Sequence, residues 1–310
     1  MPNNNAAGSV SILGVFVADA AYRAKRQPNM GETILGDSFA LGPGGKGSNQ
    51  AVAAARCGAN VSFITRLGQD AFSDMAVKMF ETEGVTTHIE HLSDSYTGSA
   101  YIFIDNATGD NAIIVCPGAA STITPEFVEG ARTVIENSSV FVTQLEQPKD
   151  AAMRALEIAR QAGVTTILNT APAEDIDDRM FALCDYVTPN ETEVEHYTGV
   201  RVATLDDARK AGDALLEKGV GTALITLGEQ GALLHNKEQS VSIPAVQAGK
   251  VLETTGAGDA FNGGFATAIA QGQTPVDAAN FASAVAGISV TRAGTAPSMP
   301  TRAEVDALLS

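Results

Sequence analysis

Tryptophan is absent from this 310-residue chain, and aromatic residues reach only 5%. Any core must therefore be mostly aliphatic, and a hydrophobic content of 45% supplies it, which excludes a disordered chain. Basic residues are scarce: 20 Lys and Arg stand against 36 Asp and Glu, a net charge of −16. That balance argues against nucleic acid or an anionic membrane as the main partner. It also means that a phosphate ligand needs a local positive site, because the overall field repels it. Cysteine is rare. Cys57, Cys116 and Cys184 are scattered and form no CxxC pair, which fits reduced thiols in a cytoplasmic protein better than a disulfide framework or a thiolate metal site. Long apolar runs are missing too. Val285 to Val290 is too short to span a bilayer. Residues 1–8 lack the basic start and apolar stretch of a signal peptide and are expected to be disordered. No GxxxxGK[ST] sequence occurs, so a Walker-type phosphate loop is excluded.

What is present alternates. Val10 to Val15, Val61 to Thr65, Val140 to Thr143, Thr165 to Asn169, Tyr186 to Thr188 and Ala223 to Thr226 read as strands. Helical patterns follow Gly47 and cover 70–83, 124–136, 149–162, 257–271, 275–291 and 302–309, with two more from Glu191 and Leu205. Strands alternating with helices predict an α/β fold. It is a three-layer domain over 9–310, with a mostly parallel sheet covered by helices on both faces. Two stretches break the rhythm. Tyr96 to Cys116 carries a hairpin signal at Asp105–Asp110, and Glu32 to Leu41 has some period-2 character. These insertions, about 15–41 and 96–116, are expected to form a small β-sheet lid. Tyr101, Phe103, Ile113 and Val115 would share its apolar face.

The chain is organised around Glu253-Thr254-Thr255-Gly256-Ala257-Gly258-Asp259, a small-residue turn running into a helix. Its backbone N–H groups would sit at a helix N-terminus, where orphan donors and the dipole attract an anion. Asp259 is a carboxylate beside that anion site. The chemistry that suits it is general base catalysis: it takes a proton from a hydroxyl while Gly256, Ala257 and Gly258 hold the phosphoryl group under attack. An ordinary helix-start turn is the alternative.

Three further motifs follow. Gly42-x-Gly44-x-x-Gly47 formally matches a dinucleotide fingerprint, but it does not follow the first strand. Lys46 and Asn49 there are better read as side chains offered to a small polar ligand. Asn190 and Glu193 open a helix three residues apart, in position either to hold the water shell of Mg²⁺ or simply to cap the helix. The stretch Thr226, Leu227, Gly228, Glu229, Gln230, Gly231 is a hairpin or a flat shelf for a purine. Asn169, Asn190, Gly228 and the Glu253 turn each fall just after an expected strand, where open α/β sheets bind ligands.

Taken together and in this order, Gly44 to Ala51, Asn169 to Ala173, Pro189 to Glu193, Thr226 to Gly231, Thr254 to Phe261 and Val290 to Pro300 resemble the ribokinase-like carbohydrate kinases. The resemblance runs from about Val10 to the end. It implies ATP-dependent phosphorylation of a primary hydroxyl of a small sugar. Gly45, Lys46, Gly47, Asn49, Asp19 and Glu146 would hold the sugar together with Asp259. Thr226 to Gly231, Asn190 and Gly258 would flank the nucleotide, and Asn190 and Glu193 would serve Mg²⁺. Glu253, Thr255, Ser289, Arg292, Gly294 and Ser298 would hold a monovalent cation, K⁺. A homodimer through the lid is implied as well. Two positions depart from the family pattern. Val17 stands two before Asp19 where an Asn is usual, and Glu253 replaces an Asp. An apolar Val17 makes none of the hydrogen bonds of an amide. The readings beside a pentose or deoxypentose kinase are a kinase for another sugar or a nucleoside, and a non-catalytic sugar- or nucleotide-binding regulator.

Overall fold

The computed structural model describes residues 8–310. The expected disorder of residues 1–8 thus lies outside the described residues as far as position 7. At Gly8 it is overturned, because its N–H donates to Ala270 O at 3.0 Å and its carbonyl accepts from Asn60 N at 3.0 Å.

The chain begins with β1 (Ser9–Leu13), β2 (Val17–Ala24), β3 (Ser38–Gly44) and α1 (Lys46–Arg56). There follow β4 (Asn60–Gly68), α2 (Ala71–Thr82), β5 (Thr86–Leu92), β6 (Thr97–Asp105) and β7 (Asn111–Gly118). The middle holds α3 (Pro125–Gly130), α4 (Arg132–Glu136), β8 (Val140–Thr143), α5 (Lys149–Ala162), β9 (Thr165–Leu168), β10 (Tyr186–Val187), α6 (Glu191–Thr198) and α7 (Leu205–Glu217). It closes with β11 (Thr222–Thr226), β12 (Ala232–His235), β13 (Ser240–Ile243), α8 (Ala257–Ala270), α9 (Pro275–Ser289) and α10 (Arg302–Leu309). The single helix expected over 124–136 is two short ones, interrupted at Ala131 after Gly130.

Among the described residues a nine-stranded sheet runs β13-β12-β11-β10-β9-β8-β1-β4-β5. It is parallel except at β12, which is antiparallel to both neighbours. Strand alternation divides the core in two. Val10, Ile12, Val142, Ile167 and Leu224 pack under α1, α8 and α9. Leu13, Phe141, Leu168, Ala223 and Ile225 pack under α5, α6 and α7. Both faces are covered, as a buried parallel sheet requires. No helix among the described residues is long and apolar enough to cross a membrane.

The lid is a separate four-stranded sheet, β3-β2-β6-β7. Two expectations about it are corrected. The strand lies at Ser38–Gly44 rather than over Glu32 to Leu41, and Glu32 instead ties a loop down through a bidentate pair with Arg26. The hairpin and that strand share one sheet, with β2 between them. The apolar residues also divide between faces. Tyr101 sits opposite Ile114 and Ile102 opposite Ile113, so Ile113 and Val115 lie on the face away from Tyr101 and Phe103. The length of the hairpin loop sets that register, and a slip of one residue exchanges the faces. Tyr22, Phe39 and Tyr101 cluster on one face, with ring centroids 4.9 and 5.6 Å from Tyr22. Asp19 lies on the other face, in line with Ala100 and Val115.

Candidate active site

The site is assembled by the loops that leave the C-terminal ends of β1, β8, β9 and β10, by the lid root and by the start of α8. Gly256 enters α8 with a left-handed φ of 83°, a conformation open to glycine at no steric cost, and an added Cβ would press on Thr295 at 3.3 Å. Ala257 N donates to Thr254 O at 3.1 Å and Ala260 N to Gly256 O at 2.9 Å. Of the donors expected to bind an anion, Ala257 is thus taken up inside the turn. Gly258 and Asp259 are left as the first-turn N–H groups that a helix does not satisfy itself. The turn does not follow a strand as expected, since β13 ends at Ile243 and a long irregular segment intervenes.

Asp259 is 7% exposed. Its carboxylate accepts from Asn49 Nδ2 at 2.9 Å and from Gln50 Nε2 at 3.1 Å. Burial pushes its pKa above the usual carboxylate range, against the pull of Lys46 and of these two bonds. Lys46 is the one cation among four acidic groups. Its backbone N donates to Glu146 Oε2 at 2.8 Å. The charges of Asp259, Glu146 and Glu193 hold its ammonium above its ordinary value in spite of burial. Burial, with Asp259 adding, raises Asp19 to about 6; burial likewise raises Glu146 to about 7. Asp19 lies directly over Gly44, where any Cβ would collide with it. Asn49 Oδ1 is buried and has no donor. An orphan acceptor of this kind costs free energy unless a ligand supplies a hydroxyl.

Asn190 and Glu193 do cap α6, in a reciprocal capping box: Glu193 N donates to Asn190 Oδ1 at 2.9 Å and Asn190 N to Glu193 Oε2 at 3.1 Å. The cap does not remove them from the site. Both line a cleft of about 180 Å³ with Lys46, Thr226, Gly256, Gly258 and Asp259. Asn169, Ala171, Thr188 and Asn262 complete its wall.

Of the other expected residues, Thr226 shares the cleft wall and the rest are placed around or behind it. Gly47 faces the backbone of Gly14 rather than the cleft, since an added Cβ would stand 2.6 Å from Gly14 Cα. Thr226 to Gly231 is a hairpin between β11 and β12 with a 3₁₀ turn at Gly228–Gln230. Within it Leu227 is buried, Glu229 is exposed, and Gly231 packs on Ile243 O. Glu253 Oε2 accepts from Gly294 N at 3.0 Å, so the longer side chain reaches the C-terminal loop. That loop also rests on the lid root, where Thr295 Oγ1 donates to Pro43 O at 3.1 Å. Ser289 and Ser298 donate to Ala286 O and Thr295 O, and the Arg292 guanidinium turns away to Glu304. Among the described residues no group of three or more His, Cys, Asp and Glu is gathered as a metal cluster. Sequence reasoning missed Gln50, which donates to Asp259 and Asn169, and the pair Thr188 and Asn262, which bond each other behind the visible motifs.

Residues 8–302 match the pfkB family carbohydrate kinase model. The chain belongs to this family. A ribokinase of Haemophilus influenzae is 40% identical over 96% of each chain. A deoxyribokinase of Salmonella typhi is 36% identical over 97% of this chain and 98% of that one. The structure of an Arabidopsis thaliana ribokinase complexed with ribose and ATP superposes with a TM-score of 0.94 at 29% identity, covering 98% of this chain and 99% of that one. This pfkB family member is therefore a sugar kinase, a phosphotransferase with an alcohol group as acceptor.

Proposed function

We propose that the enzyme transfers the γ-phosphoryl group of ATP to a primary hydroxyl of a pentose or deoxypentose, with Asp259 as general base. One observation carries this reading: a buried carboxylate, clamped by two amides, lies beside two free N–H groups at the start of α8. Asp259 takes the hydroxyl proton. The sugar oxygen forms a bond to the γ-phosphorus, the bond to the bridging oxygen breaks, and ADP leaves. Gly258 and Asp259 N–H groups stabilise the charge that builds on the phosphoryl oxygens. Lys46 adds the local positive charge that the acidic surface otherwise denies a phosphate.

Asp19, Gly45, Asn49 and Glu146 hold the sugar, and the unpaired Asn49 Oδ1 accepts one of its hydroxyls. Thr226 to Gly231 and Asn190 flank the nucleotide. Glu193 and Asn190 fit Mg²⁺ held through water: a buried carboxylate whose pKa burial has raised gains from a nearby cation, and the cleft leaves room for a hydration shell. Mg²⁺ held by these residues would supply charge neutralisation to the phosphates. The Glu253, Thr255, Ser289, Arg292, Gly294 and Ser298 region fits K⁺ less well than the family pattern implies, because the Glu253 carboxylate is already bound to Gly294 N. The exposed lid residues Tyr22, Phe39, Leu41 and Ile114 suit pairing with a second lid in a homodimer. We place the enzyme in the cytoplasm, where ATP is at hand and the three cysteines stay free.

Relatives named ribokinase and deoxyribokinase both match nearly end to end, so overall similarity does not choose the acceptor, and we assign the choice to Val17. It is 4% exposed at the start of β2, two residues from Asp19 on the same face. A buried valine leaves a sugar hydroxyl there without a partner, which favours a deoxypentose over ribose. The test is ADP release over a panel of pentoses, deoxypentoses, hexoses and nucleosides, for wild type and Val17→Asn. The expected result is a deoxypentose preference that Val17→Asn moves toward ribose. A wild-type kcat/KM highest for ribose and unmoved by the substitution would refute the assignment.

A further inference from the structure

Behind Asp259 lies a chain of buried amides, and the carboxylate fixes its polarity. Gln50 Nε2 donates to Asp259 Oδ1 at 3.1 Å and also to Asn169 Oδ1 at 3.1 Å. With its NH₂ committed to two acceptors, Gln50 presents Oε1 on its other side, and Gln144 Nε2 donates to that oxygen at 2.7 Å. Gln144 Oε1 is left without a polar donor, pressed toward Gly14 and Gly47, where only Cα–H groups face it. In the other direction Asn169 Nδ2 donates to Thr188 O at 3.1 Å. Thr188 Oγ1 donates to Asn262 Oδ1 at 2.6 Å, and Asn262 Nδ2 to Gly258 O at 2.9 Å. Gln50 is fully buried, Asn169 is 6% exposed and Asn262 is 1% exposed. The chain therefore runs from the carboxylate through Gln50 and back to the turn that offers N–H groups to phosphate.

We infer that Gln50 is a positioning residue: it sets the orientation of the Asp259 carboxylate and, through Asn169, Thr188 and Asn262, ties the base to the phosphate-binding turn. The inference rests on Asp259 acting as the base. Asn49 holds the other carboxylate oxygen but has a free Oδ1, whereas Gln50 is the donor that links the base to the buried amides behind it. The charged groups that face Asp259 are Lys46 from α1, Asp19 from β2, Glu146 from the loop after β8 and Glu193 from α6. Three of these four are acidic and oppose ionisation. Neutral donors that stabilise the carboxylate without adding charge are thus the device left to keep it ionised near neutral pH, ready to take a proton.

Gln50→Met removes both donors while keeping length and an unbranched stem. With the best sugar of the panel and ATP, kcat should fall between about 10- and 100-fold, with KM for sugar and nucleotide within about twofold. The acid limb of kcat against pH should move up by about one pH unit, because a carboxylate that loses its donors holds its proton to higher pH. Gln144→Met takes away only the bond to Gln50 Oε1 and should shift both readouts the same way by less; it serves also where Gln50→Met does not fold. The ¹³C titration of the Asp259 carboxyl, identified by its loss in Asp259→Asn, should move up in both variants. That arm reads the Gln50 contact whether or not Asp259 is the base, whereas full activity in Asp259→Asn would sink the base assignment alone. Variants with the wild-type acid limb, the wild-type titration and kcat within twofold would overturn the role given to Gln50.

Discussion

Glu146→Gln tests the electrostatics of the empty site through stability rather than turnover. Glu146 has its pKa raised from 4.5 to about 7, first by burial, then by Asp259 and Asp19, against the opposing pull of Lys46 and its backbone N–H. A carboxyl that holds its proton more tightly folded than unfolded contributes stability below about pH 4.5. That contribution is lost as pH rises, because the unfolded chain releases the proton first, and the loss is complete once pH has passed the folded value near 7. A rise of this size corresponds to about 3 kcal/mol. Glutamine keeps an oxygen to accept from Lys46 N but never ionises, so the variant escapes the loss; the weakened attraction to Lys46 takes back part of the gain. The expected net is that Glu146→Gln matches wild type near pH 4.5 and exceeds it by about 1–3 kcal/mol at pH 8. Urea denaturation of both proteins without ligand, at half-unit intervals from pH 4.5 to 8.5, measures this. A stability difference that stays constant across the range would refute the reasoning.

Two more expectations concern the cation loop and the lid. Glu253→Asp should free Gly294 N and strengthen activation by KCl, measured as initial rate with choline chloride holding ionic strength constant; activation equal in both enzymes would show the longer side chain to be harmless. If two copies pair through the lid as proposed, Tyr22→Lys, which places a charge among the clustered rings of the exposed lid face, should leave a monomer at micromolar concentration by light scattering where wild type is a dimer, and a wild-type monomer would count against pairing through the lid.

The parallel sheet was legible because its strands are near-continuous aliphatic runs and its helices carry clear punctuation, as at Gly163 and Gly199. Strand β2 was not, since VADAAYRA is alanine-rich with two charges and has little β character of its own. Strand β5 was missed for a related reason: TTHIEHL carries only two large aliphatic side chains and lies on an edge. The lid faces were misjudged because residue parity says nothing across a hairpin until the register is known. In the site, Asp259, Lys46 and the Asn190–Glu193 pair announced themselves through glycine turns and helix starts. Gln50, Thr188 and Asn262 did not, because a buried amide that bonds other buried amides leaves no local pattern. The one available signal for Gln50 was its place one residue after Asn49, just before the buried run Ala51 to Ala54 of the same helix.

The central claim is that Asp259 removes the acceptor proton, and Asp259→Asn tests it most directly. The substitution keeps shape and an acceptor for Gln50 but abolishes the proton acceptor, so kcat with the best sugar should fall by about 10²–10⁴. Binding of a non-hydrolysable ATP analogue, measured by calorimetry on the same samples, should stay within a few-fold, because the Gly258 N–H and Lys46 remain. An Asp259→Asn enzyme that turns over near the wild-type kcat, with nucleotide binding intact, would contradict the account.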